Sequence, residues 1–178
     1  MVSAVSTLGT PSTLGKVRKI EVRDGDFRLL FDASALTKRY AVEAGRDRAL
    51  ALFAAASELL VAAHCKTEVA SALLRRRREG SLSSADFDRA WAAAEQDVAD
   101  MTLVPLDTHV ERFAFAAMEH SALRGMDALH VGSALSAKVD LFVTSDRRQA
   151  IAAREMGLQT EYIGAVSSDP TAPRGIGA

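Results

Sequence analysis

Short apolar segments alternate with helical segments along most of this chain. Five segments have the composition of strands, namely residues 27–31, 59–62, 102–105, 141–143 and 160–163. The stretches between them carry the apolar spacing or the capping residues of helices. Strands that alternate with helices predict a parallel sheet covered on both faces, that is, a three-layer α/β/α fold with a central sheet of four to five strands.

Composition indicates a single folded domain. The chain has 178 residues, of which 48% are hydrophobic, and this is enough for one core. We expect the domain to span residues 26–163, with a flexible N-terminal extension (1–25) rich in Ser, Thr and Gly and a flexible tail (164–178) rich in Pro and Gly. Because the net charge is only −1, a nucleic-acid partner would need a local basic patch.

Several settings are disfavoured by the sequence. The single cysteine, Cys65, excludes an internal disulfide and a cysteine-based metal site. No segment is long and apolar enough to cross a membrane, and the N-terminus lacks the basic and then apolar pattern of a secretion signal. We therefore expect a cytoplasmic protein with no membrane partner.

The candidate functional residues are four carboxylates: Asp32, Glu68, Asp127 and Asp146. Asp32 and Asp146 each follow a predicted strand, and the carboxyl ends of parallel strands point to one crevice. Each carboxylate alone could be a helix cap or a solvated side chain. Two carboxylates about 4 Å apart, however, repel by about 4 kcal/mol at an effective dielectric near 20. A cluster of four is therefore tolerable only if some carboxylates protonate or a cation neutralises them. Oxygen ligands without histidine or cysteine favour Mg²⁺ as that cation, with Mn²⁺ also possible.

The chain resembles PIN-domain ribonucleases, and most of all the VapC toxins of type II toxin–antitoxin pairs. The resemblance rests on four stretches in the family's order: FDASALTKRY (31–40), KTEVASALLRR (66–76), MDALH (126–130) and FVTSDR (142–147). It implies a PIN-like fold and an Mg²⁺-dependent endoribonuclease site built by the four carboxylates, with Ser34 and Thr144 as supporting hydroxyls. It also implies products with 5′-phosphate and 3′-hydroxyl ends, a homodimer and a cognate antitoxin.

Basic residues near these stretches are candidates for RNA phosphate contacts. They are Lys38, Arg39, Arg75, Arg147 and Arg148. The four histidines lack the spacing of a zinc site, and we expect a structural role for His130. Thr108 and Glu111 form a T-x-x-E capping box that predicts the start of a helix over residues 110–120.

Other functions for this composition remain open. The main alternative is a housekeeping or catalytically inactive PIN-domain RNA-binding protein. A magnesium-dependent phosphatase is less favoured, because its common form needs a second aspartate two residues after the first and Ser34 occupies that position. A dinucleotide-binding domain is disfavoured because no G-x-G-x-x-G turn is present.

Overall fold

The computed structural model describes residues 27–165. The predicted N-terminal extension (1–25) and residues 166–178 of the predicted tail lie outside the described residues. The elements in chain order are β1 (Arg28–Phe31), α1 (Ala33–Tyr40), α2 (Arg46–Ala55), β2 (Glu58–Ala62), α3 (Cys65–Arg78), α4 (Ser84–Asp100), β3 (Thr102–Val104), α5 (Thr108–His120), α6 (Gly125–Ala137), β4 (Leu141–Thr144), α7 (Arg147–Glu155) and β5 (Thr160–Tyr162). Within residues 27–165, no helix has both the length and the apolar character needed to cross a membrane.

The five strands form one sheet in the order β3-β2-β1-β4-β5, and every neighbouring pair is parallel. β1 lies at the centre, where Leu30 is paired with Leu60 of β2 and with Phe142 of β4. The predicted parallel sheet is confirmed, and each strand begins and ends within one residue of its predicted limits.

Side chains of the central strand alternate between two buried cores. Leu29 and Phe31 pack with residues of α1, α2, α3 and α4 on one face of the sheet. Leu30 packs on the other face with residues of α5, α6 and α7. Both faces of the sheet are therefore covered, which explains why its strands read as continuous apolar runs. The predicted three-layer α/β/α fold is confirmed.

Side-chain oxygens cap several helices in the described residues, and one predicted cap is corrected. Ser83 caps α4: its side chain accepts a hydrogen bond from Asp86 N at 3.1 Å. The prediction for α5 was wrong by one residue: Asp107, not Thr108, is the cap, and its Oδ1 accepts from His109 N and Val110 N. Helix α6 begins at Gly125, so Asp127 lies inside its first turn.

Helix α6 packs closely against α5 at a glycine. A Cβ added to Gly132 would lie 2.6 Å from the Val110 carbonyl oxygen and 2.9 Å from the Ala114 amide nitrogen. Backbone atoms cannot turn aside as a flexible side chain can, so only glycine fits at this crossing. The contact fixes the position of α6 and hence of Asp127 in its first turn.

We expect the substitution Gly132→Ala to destabilise the protein by roughly 1–3 kcal/mol, because the added methyl group overpacks the crossing. This loss should exceed the gain of about 1 kcal/mol in helix propensity. Gly125→Ala, in the same helix, is the matched control, since its added Cβ meets no atom within 4 Å. Urea unfolding of both variants measures the difference, and equal stabilities would show that the crossing is not tight.

Candidate active site

All four predicted carboxylates lie at the carboxyl edge of the sheet. Asp32 follows β1 and caps α1, and Asp146 follows β4 and caps α7. Glu68 lies in the first turn of α3, which follows β2, and Asp127 lies in the first turn of α6. The four side chains line one cavity of about 310 Å³. The chain therefore brings together residues that are up to 114 positions apart.

Asp32 is the innermost carboxylate and is fully buried. Its Oδ1 accepts a hydrogen bond from Ala35 N at 2.7 Å, and its Oδ2 accepts one from Thr144 Oγ1 at 2.7 Å. Ser34 Oγ lies 2.9 Å from Oδ1 and 2.8 Å from Oδ2. The two predicted supporting hydroxyls thus both contact Asp32, and they hold it between β1 and β4.

The same two hydroxyls also order the segment that carries Asp146. Thr144 Oγ1 accepts from Asp146 N at 2.9 Å, and Ser34 Oγ accepts from Ser145 N at 3.0 Å. Asp146 Oδ1 in turn accepts from Arg148 N at 2.7 Å. This network links two of the carboxylates through short hydrogen bonds, so their separation is fixed by the backbone of the sheet edge.

Gln149 connects Asp127 to this network and was missed by the sequence analysis. The side-chain amide Nε2 of Gln149 donates to Asp127 Oδ1 at 3.3 Å. Gln149 is buried, and its Oε1 has no hydrogen-bond partner within residues 27–165. A buried amide next to a carboxylate orients that carboxylate, so Gln149 belongs to the site.

Glu68 has two histidine neighbours, which corrects the expected roles of the histidines. His130 Nε2 lies 2.6 Å from Glu68 Oε2, and His64 Nε2 lies 3.6 Å from the same oxygen. The sequence spacing of the histidines did not indicate this contact, because it forms between α3 and α6. Two local clues were present: His64 precedes Glu68 by four residues, and His130 follows Asp127 by three.

The environment shifts the pKa values of these acids in opposite directions. Burial raises the pKa of Asp32, although hydrogen bonds and His130 oppose the shift. Burial, followed by the charge of Asp146, raises the pKa of Asp127. Burial also acts to raise the pKa of Glu68, but the hydrogen bond from His130 and the charges of both histidines outweigh it, and the net shift is downward.

The five basic residues predicted to contact RNA are not all near the cavity. Arg75 and Lys38 line it, but Lys38 Nζ donates to the Ala44 carbonyl at 2.8 Å. Arg148 lies at its rim, 3.6 Å from Asp146 Oδ2 and 4.0 Å from Asp127 Oδ2. The structure does not bring the other two to the cavity: Arg39 pairs with Asp97, and Arg147 is exposed and does not line it.

An apolar groove of about 800 Å³ adjoins the acidic cavity between α5 and α6. Glu68, Asp127 and Asp146 line both spaces. Phe115, Met118 and Met126 are exposed, by 60%, 39% and 44%, and they line this groove. The carboxylates therefore lie between a polar cavity and an apolar surface.

The donor set fits a hard divalent cation. Four carboxylates face one space, and Arg148 is the only guanidinium that lies within 4.0 Å of any of them in residues 27–165. That guanidinium belongs to a side chain that is 56% exposed, so it neutralises the cluster weakly. Carboxylate oxygens from several elements around one cavity are the ligands that Mg²⁺ and Mn²⁺ prefer.

Comparison with known protein families assigns this chain to a family. The family described as "PIN domain" matches residues 29–155, which include all four carboxylates. The chain belongs to the PIN-domain family. This confirms the resemblance drawn from the four sequence stretches.

Individual relatives agree with this assignment. The chain is 36% identical to Ribonuclease VapC45 of Mycobacterium tuberculosis over 109 residues, or 60% of this chain and 74% of that protein. The crystal structure of M. tuberculosis VapC20, a Sarcin-Ricin loop cleaving toxin, matches with a TM-score of 0.55 at 16% identity, over 70% of this chain and 94% of that one. The crystal structure of VapBC-5 of M. tuberculosis, a member of the VapBC family of toxin–antitoxin systems, matches with a TM-score of 0.52 at 19% identity. The match covers 78% of this chain and 99% of that chain.

We expect Asp127→Asn to stabilise the metal-free protein. A raised pKa means that the ionised carboxylate is less stable in the folded chain than in the unfolded one. The penalty is absent below the ordinary value of 3.8 and is complete once the pH has risen through the raised value. Allowing for solvent screening, the gain at neutral pH should be about 0.5–1 kcal/mol, or about 1–4 °C in Tm.

Thermal unfolding with EDTA present, from pH 4 to pH 8, measures this effect. The stabilisation by Asp127→Asn should grow with pH. Asp88→Asn is the matched control, because Asp88 is exposed on α4, away from the cavity, and should show no such trend. A variant at position 127 that is less stable than the parent at neutral pH would contradict the assigned electrostatic penalty.

Proposed function

We propose that this protein is a divalent-metal-dependent endoribonuclease and the toxin of a toxin–antitoxin pair. The observation that carries the proposal is the convergence of Asp32, Glu68, Asp127 and Asp146 on one cavity. The 36% identity to a ribonuclease of the VapC group supports the reaction class. Hydrolysis of an RNA phosphodiester is the chemistry that a cluster of carboxylates and a hard cation performs best.

The metal ion would be Mg²⁺, with Mn²⁺ as a substitute, held by oxygens of the four carboxylates. When bound, such an ion polarises a phosphodiester oxygen and lowers the pKa of a water molecule. The buried hydroxyl of Thr144 and the half-buried hydroxyl of Ser34 keep the Asp32 oxygens in one orientation, so this carboxylate needs little rearrangement to bind a cation.

Asp127 is the best candidate to accept the proton of the attacking water. A general base works best when its pKa lies near the operating pH, and burial together with Asp146 raises the pKa of Asp127. Asp32 also has a raised pKa, but its two oxygens already accept hydrogen bonds from Ser34, Ala35 and Thr144. Gln149 holds Asp127 in place while leaving it half-exposed to the cavity.

RNA would approach along the side of the cavity that carries Arg75. This side chain is exposed, lines the cavity and lies on the same helix as Glu68, seven residues further along. Arg148 would release Asp127 and Asp146 when the cation binds and would then be free to contact a phosphate. We assign no phosphate contact to Arg39, because both of its hydrogen bonds go to Asp97.

The antitoxin and the homodimer are carried over from the family resemblance. The likeness to VapBC-5, a member of a toxin–antitoxin family, supports a protein inhibitor that covers the site. The apolar groove next to the carboxylates offers such a partner an exposed apolar surface to cover. A short open reading frame just upstream, encoding a small DNA-binding protein, would identify the partner.

We expect the purified protein to cleave structured RNA with Mg²⁺ or Mn²⁺ and to stop when EDTA is added. Asp127→Asn should lower the cleavage rate on the order of 10²-fold or more, because a proton acceptor and a metal ligand are both lost. End-labelled RNA gives the rate, and phosphatase treatment of the products tests for 5′-phosphate ends.

The control variant is again Asp88→Asn, which should keep the parent's rate. Since Asp127→Asn is also expected to be more stable than the parent, unfolding cannot explain its loss of activity. Cleavage that persists in EDTA would refute the metal-dependent mechanism, and full activity in Asp127→Asn would remove this residue from the site.

Expression of the unmodified chain in a bacterial host should arrest growth, because uncontrolled cleavage of RNA stops protein synthesis. Expression of Asp127→Asn at the same protein level should not. Growth curves after induction, with immunoblots to match protein levels, measure the effect. Normal growth with an enzyme that is active in vitro would favour a housekeeping nuclease over a toxin.

A further inference from the structure

A second group of metal-binding side chains lies beside the acidic cavity, and it contains two histidines. His64, Glu68 and His130 each offer one ligand atom, and these atoms lie within 4.8 Å of one another. The two imidazole rings pack together with their centroids 4.3 Å apart and their planes tilted by 46°. Three potential ligands thus converge from the start of α3 and from the middle of α6.

The local fold brings these three ligand atoms close to one another. His64 precedes α3 and lies four residues before Glu68, so both side chains are on one side of the helix. His64 Nε2 is buried and has no hydrogen-bond partner within residues 27–165. A buried imidazole nitrogen without a partner, 3.6 Å from a carboxylate oxygen, is free to bind a cation.

We propose that His64, Glu68 and His130 form a site for a transition-metal ion of the zinc class, and that this ion competes with the nuclease metal for Glu68. Imidazole nitrogens favour Zn²⁺ over Mg²⁺, whereas the four carboxylates favour Mg²⁺. Three protein ligands leave a fourth tetrahedral position open to water. The site stands on the described geometry alone, and the competition rests on the nuclease function proposed above.

The two distances that involve Glu68 require only a small adjustment. Two ligand atoms of a tetrahedral zinc ion, each about 2.0–2.1 Å from the metal, lie about 3.3 Å apart. His64 Nε2 is already 3.6 Å from Glu68 Oε2. His130 Nε2, at 2.6 Å from that oxygen, must move away by less than about 1 Å.

A change of tautomer would let His130 bind a metal ion. Its Nε2 must lose its proton to become a ligand, which moves the proton to Nδ1. Nδ1 is buried and has no hydrogen-bond partner within the described part of the chain, so no existing contact at Nδ1 is broken. The hydrogen bond to Glu68 is lost, but the metal replaces it by bonding both groups.

A consequence for regulation follows from the shared carboxylate. Glu68 lines the acidic cavity and also contacts both histidines through Oε2. A zinc ion bound at the histidines would hold this oxygen and draw the side chain away from the other three carboxylates. Zinc should therefore inhibit magnesium-dependent RNA cleavage without contacting the RNA itself.

Titration of the metal-free full-length chain with Co²⁺ tests the site directly. Tetrahedral Co²⁺ absorbs visible light far more strongly than octahedral Co²⁺. We expect a strong band that saturates at one equivalent, disappears with equimolar Zn²⁺ and survives excess Mg²⁺. His64→Ala should weaken binding roughly tenfold or more. His109→Ala, which changes an exposed histidine on α5, should bind as the parent does.

Glu68→Gln provides a second variant, so that the result does not depend on one substitution. It keeps the shape of the side chain and should give the same loss of Co²⁺ binding as His64→Ala, with circular dichroism showing that both variants are folded. Only a weak, octahedral-type spectrum in the parent would overturn the proposed site. So would tight Co²⁺ binding that survives in a folded His64→Ala.

The competition is measured as the ratio of RNA cleavage rates with and without one equivalent of Zn²⁺ in excess Mg²⁺. Using a ratio within each variant cancels any change in basal rate. The parent should lose most of its activity, and His64→Ala should lose little. Unchanged cleavage by a zinc-loaded parent would overturn the competition. A chain that binds Co²⁺ strongly but cleaves no RNA would overturn the nuclease proposal and the competition while supporting the site.

Discussion

Electrostatic repulsion among four carboxylates at one sheet edge is the constraint on which the rest of the structure depends. The strand order places Asp32 and Asp146 side by side after β1 and β4, and helices α3 and α6 bring Glu68 and Asp127 to the same cavity. All four lie at helix N-termini, where the backbone favours negative charge by about 0.3–1 kcal/mol each. A pair about 4 Å apart would cost about 4 kcal/mol, so the helices offset only part of such repulsion, which supports the proposed cation.

The carboxylates differ in their burial and in their hydrogen-bond partners. Asp32 is buried and surrounded by hydrogen-bond donors, so it acts as the fixed point between β1 and β4. Asp146 uses one oxygen to cap α7, and Asp127 is held by the amide of Gln149. These three carboxylates thus each have a separate structural anchor, and their separation does not depend on a bound ion.

The sheet and the acidic set could be predicted from the sequence because both follow from local patterns. An apolar run that ends at Asp32 or just before Asp146 predicts both the strand and the position of its carboxyl end. Contacts between distant segments left no such pattern. Nothing near Arg39 indicates that its guanidinium pairs with Asp97, 58 residues away. The contact of His130 with Glu68, across 62 residues, had only an indirect clue in the three-residue spacing of Asp127 and His130. The cap of α5 was misplaced because Asp107 and Thr108 are adjacent and both suit the position.

The two histidines make Glu68 chemically distinct from the other acids, and this distinction organises the proposed site. The pKa values of Asp32 and Asp127 are raised, whereas that of Glu68 is lowered by His130 and His64 despite burial. The surroundings of Glu68 therefore favour its ionised form, whereas burial disfavours the ionised forms of Asp32 and Asp127. The same histidines that keep Glu68 charged also offer it a different metal. In the proposed scheme, Glu68 would bind a hard ion on one side or a softer ion on the other, and the ion bound to it would decide whether the four carboxylates can act together.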